Sequence, residues 1–254
     1  STATPSLANS FATELYTGTG SGSKTVTGVG FRPDLVWGRS RTGSIGNILF
    51  DVVRGENKQL SSDNTSAEVT RSSAAYEFEN DGFTVTTAGN LNNSVNYASW
   101  NWKAGGTPAI NTDGTITSLV SANQAAGFSI VKYTGNNTAG ATVAHGMDAV
   151  PELIIWKVLT SVSGWKVYCN QFTSPTTQIV ELQASAAVST NTVFINGTAP
   201  STSLITLGAY GDTNGSGQDI VTYCFTSISG YSKVGNYSGN QSLNVANQIN
   251  FGFT

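Results

Sequence analysis

From Phe11 onward the chain is written in short segments rich in Val, Ile, Thr, Tyr and Phe, broken by Gly or Asn every 8–12 residues. That rhythm predicts an all-β fold, a sandwich or a barrel. Pro33–Trp37 and Asn47–Val53 read as strands, and Asp81-Gly82 reads as a turn leading into a strand through Phe83 and Val85. Tyr97–Lys103 alternates strongly, which sets Ala98, Trp100 and Trp102 on one face. The polar stretch from Gly55 to Ala74 leaves room for one helical turn, and residues 1–10, small and polar, read as an N-terminal arm.

The same pattern then starts again. Tyr16–Arg39, YTGTGSGSKTVTGVGFRPDLVWGR, returns as Tyr133–Lys157, YTGNNTAGATVAHGMDAVPELIIWK, and begins once more as Tyr237–Phe253. Pro33 and Leu35 correspond to Pro151 and Leu153, and Leu49-Phe50 to Val167-Tyr168, all at an offset of 118 positions. Ala98, Trp100 and Trp102 correspond to Val221, Tyr223 and Phe225 at an offset of 123. A helix would scramble this every-second-residue match, whereas a strand preserves it. The expected organisation is therefore a first β repeat over 11–107 and a second over 108–230, two similar β units packed together or fused into one double layer. The boundary falls at Gly105-Gly-Thr-Pro108, and a partial third repeat follows over 231–254. An unpaired terminal strand is an aggregation hazard, so this last segment is expected to pair with an open edge in the same chain or in a neighbour.

Composition narrows the function more than it names it. Over 254 residues only 11% are charged and the formal net charge is −3. Disorder normally needs low hydrophobicity with high charge, and nucleic-acid binding needs a basic surplus; neither is present. All five arginines (Arg32, Arg39, Arg41, Arg54 and Arg71) fall in the first third, mostly beside acids, where local ion pairing is the expected role. No run approaches the roughly 18 apolar residues of a membrane helix, so membrane insertion is not expected. STATPSLANS lacks a secretory pattern, and a Ser first residue fits trimming of an initiator Met, so cytoplasmic synthesis is expected. Cys169 and Cys224 are too few for a disulfide framework; two reduced strand thiols are expected, with a single bridge as the alternative.

The candidate chemistry is sparse. Gly18–Thr25 nearly matches a phosphate-binding loop, but Ser23 replaces the last Gly and a strand follows where a helix is needed, so it reads as a hairpin loop. His145 is the only histidine, and no Gly-x-Ser-x-Gly elbow supplies it with a partner, so a structural hydrogen bond at a strand end is its expected role. Asp212, Asn214, Ser216 and Asp219 space oxygen ligands as some calcium loops do. They lack the closing glutamate, and a turn rich in Asn and Gly has the same composition. Asp51 aligns with Cys169 rather than with an acid, which points to pairing with Arg54 or a neighbour. No catalytic residue, metal or cofactor is assigned. Trp100 and Trp102 are expected in the core, whereas Trp37, Trp156 and Trp165, near strand ends, are the candidates for contact with a glycan.

Several longer strings in combination carry a resemblance. GFRPDLVW, LFDVVRG, DGFTV, YASWNWKAGG, DGTITSLVSAN, AGFSIVKYTGN, PELIIWK and GYSKVGNYSGN resemble a repeat domain of unassigned function found in predicted virion proteins of marine and aquatic tailed bacteriophages. The resemblance covers nearly the whole chain and implies a β-rich, jelly-roll or concanavalin-like sandwich in a structural or attachment protein with no catalytic residues. The chain departs from it at Trp37-Gly38-Arg39-Ser40-Arg41, where a Lys-Asn-Arg type of sequence is expected. The resulting expectation is a non-enzymatic fibre, spike or capsid decoration protein located on the virion. Its partners would be other virion proteins and further copies of itself, as a trimer if it is a fibre. The alternative is a carbohydrate-binding module or lectin-like adhesin, and the two meet if a fibre tip holds a host-surface glycan.

Overall fold

The computed structural model describes residues 7–72 and 75–237. The chain is nearly all β. Nine strands come first: β1 (Phe11–Thr17), β2 (Ser23–Thr27), β3 (Leu35–Ser40), β4 (Ile48–Asp51), β5 (Lys58–Ser61), β6 (Val69–Thr70), β7 (Tyr76–Glu79), β8 (Gly82–Thr86) and β9 (Asn96–Trp102). Ten follow: β10 (Ala109–Asn111), β11 (Ser118–Asn123), β12 (Phe128–Thr134), β13 (Ala141–Ala144), β14 (Leu153–Val158), β15 (Lys166–Cys169), β16 (Gln178–Glu181), β17 (Ser189–Thr190), β18 (Leu204–Leu207) and β19 (Asp219–Phe225). The one α-helix among the described residues is the single turn α1 (Gly211–Asn214). The described part of 55–74 holds β5 and β6 instead of the expected helical turn, because Gln59 and Leu60 are drawn inward as ladder residues.

The strands form two large antiparallel sheets, ordered β1-β9-β3-β4-β5-β6 and β10-β11-β12-β19-β14-β15-β16-β17, and two small ones, β2-β8-β7 and β13-β18. The run β12-β19-β14-β15-β16-β17 pairs in the same order as β1-β9-β3-β4-β5-β6. The registers agree as well: Leu35 lies opposite Trp102 and Asp51, and Leu153 lies opposite Phe225 and Cys169.

Alternation along the central strands explains how these sheets stack. Val36, Phe50 and Tyr97 point to one side, into a core shared with Val26, Phe83 and Val85 of β2 and β8. Leu35, Leu49 and Leu60 point to the other, into a core shared with Ile130, Ile155, Val167, Val221 and Tyr223 of the second large sheet. That sheet sends Val131, Ile154, Trp156 and Ile220 outward beneath β13 and β18. The result is four layers enclosing three cores, and strands covered on both faces need near-continuous apolar runs such as Leu153-Ile-Ile-Trp-Lys-Val158.

The described end of the segment read as a tether, and the segment read as a linker, are tied down. Leu7–Asn9 makes a 3-10 turn, and Ser10 accepts a hydrogen bond from Lys103 N–H at 2.9 Å. Asp34 accepts from the Ala104 and Gly106 amides at 2.8 and 3.1 Å, and Ser121 Oγ accepts from Gly105. Within the expected third repeat, residues 231–237 contain no strand; Ile228 and Ser232 form an isolated bridge, and the remainder, 238–254, lies outside the described residues.

Candidate functional site

Two clusters of interior titratable groups are occupied with one another. Asp51, at the end of β4, accepts hydrogen bonds from the Val53 and Arg54 amides at 3.0 and 2.9 Å. Its other oxygen accepts from Arg54 Nε at 2.6 Å and from Tyr223 O–H, across the sheet interface, at 2.7 Å. Arg54 also pairs with Glu68 at 3.2 Å and donates to the Leu49 and Lys58 carbonyls. Burial works against the guanidinium charge, but Asp51, Tyr223 and Glu68 outweigh it and raise its pKa. This is the ion pairing expected of Asp51, and it joins the two large sheets.

A second cluster surrounds Lys166, whose Nζ bonds Glu181 and lies 3.2 Å from Asp212. Asp212 also accepts from Ser163 O–H at 2.6 Å. The calcium-like spacing is thus spent elsewhere: Asp212 serves Lys166, and Asn214 donates to the Thr138 and Gly208 carbonyls at 3.1 and 3.0 Å. Asp219 pairs with Lys132 and Thr134, and Ser216 is exposed on the turn. Among the described residues no three acids, histidines or cysteines cluster as metal ligands. His145 is fully buried. Its Nδ1 accepts from Met147 N–H, so Nε2 carries the proton toward the Ser201 carbonyl at 3.2 Å, and burial lowers its pKa.

One of the hollows that the structure leaves open is aromatic. On the face of the six-stranded sheet that meets the second sheet, β1, β9 and β3 align Phe11–Trp102–Leu35, Thr13–Trp100–Trp37 and Leu15–Ala98–Arg39 in rows across the strands. The second sheet covers only the Leu35 end of these rows. Beyond it a groove of about 390 Å³ opens, lined by Phe11, Trp37, Trp102, Phe128 and Phe225 and by the segment Tyr231–Val234. Trp102 is its centre, with ring centroids of Phe11 at 5.0 Å, Phe128 and Phe225 at 6.2 Å, and Trp37 at 6.4 Å. A shallower hollow of about 360 Å³ continues from it between Trp37, Trp100, Trp102, Asn47 and Arg39, the last of which is exposed. Glu152 anchors the far wall by accepting from Ser227 N–H at 2.8 Å, and Ser227 Oγ accepts in turn from Val234 N–H at 2.9 Å.

Of the three tryptophans read as glycan contacts, only Trp37 reaches this groove. Trp156 and Trp165 are each 0% exposed and present no face to a ligand. Trp156 packs edge-on against Phe194 in the outer core, and Trp165 stacks on Tyr223 and donates Nε1–H to Ser61 O at 3.0 Å. Trp100 and Trp102, expected in the core, are half-buried and line the open hollow instead. Phe11, Arg39, Asn47 and Tyr231 were not singled out by sequence reasoning; the alternation that placed Trp100 and Trp102 on one face needed only the cross-strand register to include the first two.

No curated protein and no solved structure matches the chain. A family comparison matches residues 6–253, nearly the whole chain, to the family described as Domain of unknown function (DUF7483). The chain belongs to that DUF7483 family.

Proposed function

We propose that this protein is a non-enzymatic structural and attachment protein of a bacteriophage particle surface, a fibre or spike module or a capsid decoration protein. The observation that carries the reading is the contrast within one molecule: two ionic clusters whose members satisfy each other, and an aromatic groove left open on a charge-poor β body. A surface with few charges suits a particle that meets varying salt, since little of its association is then screened. Other virion proteins and further copies of the chain are its partners, as a trimer in a fibre. Native mass spectrometry of the purified chain should give an assembly, and peptides of the chain should be found in gradient-purified particles. A strictly monomeric chain absent from particles overturns the proposal.

The finer architecture belongs to the same reading. We infer two tandem copies of one jelly-roll or concanavalin-like sandwich unit, supported by the matching strand order and register of the two large sheets. An experimental structure in which β12–β19 failed to superpose strand for strand on β1–β9 would refute the duplication.

A second reading, carbohydrate binding, is favoured by the hollow itself. Trp37 and Trp100 offer ring faces beside the donors and acceptors of Arg39 and Asn47, the pairing of apolar platform and polar rim that small polar ligands need. Trp37→Ala and Trp100→Ala should each abolish binding on a glycan array. Binding that survives both changes removes this reading.

A further inference from the structure

We infer, building on the carbohydrate-binding reading of the tryptophan hollow, that its ligand is an acidic saccharide, an oligomer of hexuronate whose carboxylates meet Arg39. The arginines of this chain differ in what they are given to bind. Arg54 is held by Asp51 and Glu68, Arg32 stands 3.5 Å from Asp34, and Arg71 donates Nε–H to Gln59 at 2.7 Å. Arg39 is exposed, and none of the ion pairs among the described residues includes it. It nonetheless lines a concave site, whose other walls are Trp37, Trp100, Trp102 and Asn47. The one charge on that lining is therefore a cation, and no carboxylate stands beside it to neutralise it.

The strand period fixes where this cation sits relative to the rings. Arg39 follows Trp37 by two residues on β3, so both side chains leave the same face about 7 Å apart. Trp100 lies directly opposite Trp37 on β9, and the Trp102 ring centroid is 6.4 Å from that of Trp37, so the indoles make one continuous apolar floor. Asn47 immediately precedes Ile48, the partner of Gly38, and brings an amide to the Arg39 end. A pyranose ring carries C–H groups on its faces and polar substituents around its rim. Laid on this floor, it turns a rim substituent toward Arg39. In a hexuronate that substituent is a planar carboxylate, which the planar fork of a guanidinium matches with two parallel hydrogen bonds. A neutral hexose has a hydroxymethyl group there and makes no use of the charge. The hollow of about 360 Å³ continues into the groove of about 390 Å³, and both lie in the size range of ligand sites, which suits an oligomer better than a single sugar. A chain of formal net charge −3 exerts no general pull on a polyanion, so the preference has to come from this local contact.

Titration calorimetry of the full chain at low salt tests this with oligomers of galacturonate, mannuronate and glucuronate, each beside its own carboxyl-reduced, neutral counterpart. At least one uronate oligomer should bind about tenfold more tightly than its counterpart, the scale of a hydrogen bond to a charged group. Arg39→Gln should bring that ratio close to one, and Arg39→Lys should restore only part of it, since an ammonium lacks the fork. Lys24→Gln removes the same charge from β2, in the small sheet packed on the opposite face, and should leave the ratio unchanged. Neutral counterparts bound as tightly as the uronates overturn the inference without recourse to any variant, and leave the carbohydrate reading standing. A preference that survives Arg39→Gln also overturns it, as does a sulfated oligomer bound more tightly than every uronate. If no uronate binds, the inference falls; the carbohydrate reading falls with it only if the glycan array is empty as well.

Discussion

Replacing Asp51 with Ala tests whether the buried ionic cluster is what holds the two large sheets together. Both side chains of the Asp51–Arg54 pair are 0% exposed. The substitution removes the acceptor of two backbone amides, of Arg54 Nε and of Tyr223 O–H, and leaves a desolvated guanidinium with only Glu68 and two carbonyls. Breaking one side of such a pair costs about 3–5 kcal/mol, a large part of the roughly 5–15 kcal/mol by which proteins are stable. At about 2–4 °C per kcal/mol for a chain of this size, the melting temperature should fall by roughly 6–20 °C. Tyr223→Phe deletes one donor to a charged acceptor and should cost less, about 1.5–3 kcal/mol. Asp51→Leu combined with Arg54→Met should recover much of the loss, because an apolar pair of similar volume carries no desolvation penalty. The exposed pair Lys132–Asp219, 30% and 35% accessible at 3.2 Å, is the control, and Asp219→Asn should stay within about 1 kcal/mol. Calorimetry and urea unfolding read all four. If Asp51→Ala falls within about 1 kcal/mol of the unaltered chain, or costs no more than Asp219→Asn, the cluster is not what joins the sheets.

Two further outcomes follow from buried groups. Lys157 is fully buried with Nζ donating to the Thr65 and Ser163 carbonyls, and burial, opposed by Asp212, lowers its pKa from 10.5 to about 8. The unfolded chain therefore binds the proton that the folded chain has lost between about pH 8 and 10.5, so stability rises with pH across that window. Lys157→Met should flatten this rise in the urea midpoint, and an unchanged slope would show that another group supplies it. Burial pushes the Cys224 thiol up to about 12, whereas Cys169 is only half-buried. A thiol reagent should label Cys169 in the native chain and Cys224 only in denaturant; equal labelling without denaturant contradicts the packing.

The strands were legible because their alternation is local: Asn47–Val53 contains β4, and Tyr97–Lys103 is β9 shifted by one residue. The layers were not legible, because period two says which residues share a face and nothing about what lies above it. Trp37 and Trp156 show the consequence. Both stand near the end of a Pro-acid-Leu strand, yet with Leu35 matched to Leu153 the counterpart of Trp37 is Ile155, and Trp156 stands at the position of Gly38. One residue is half a strand period, so the two rings point to opposite faces. Ile155 and Trp37 both turn into the core between the two large sheets, whereas Trp156 turns outward under the small one. At Gly38 that outer space is already filled, since a Cβ there would meet Leu91 at 2.9 Å. The next position repeats the lesson with charge. Arg39 and Lys157 share the inward face, but Lys157 donates to the carbonyls of Thr65 and of Ser163 in its own hairpin loop, while Arg39 is exposed. The stacking is therefore offset, and the offset is what bares Trp37, Trp100 and Arg39. An aromatic groove exists on this chain because one large sheet overhangs the other, a property of layer placement that pairing patterns along the sequence do not encode.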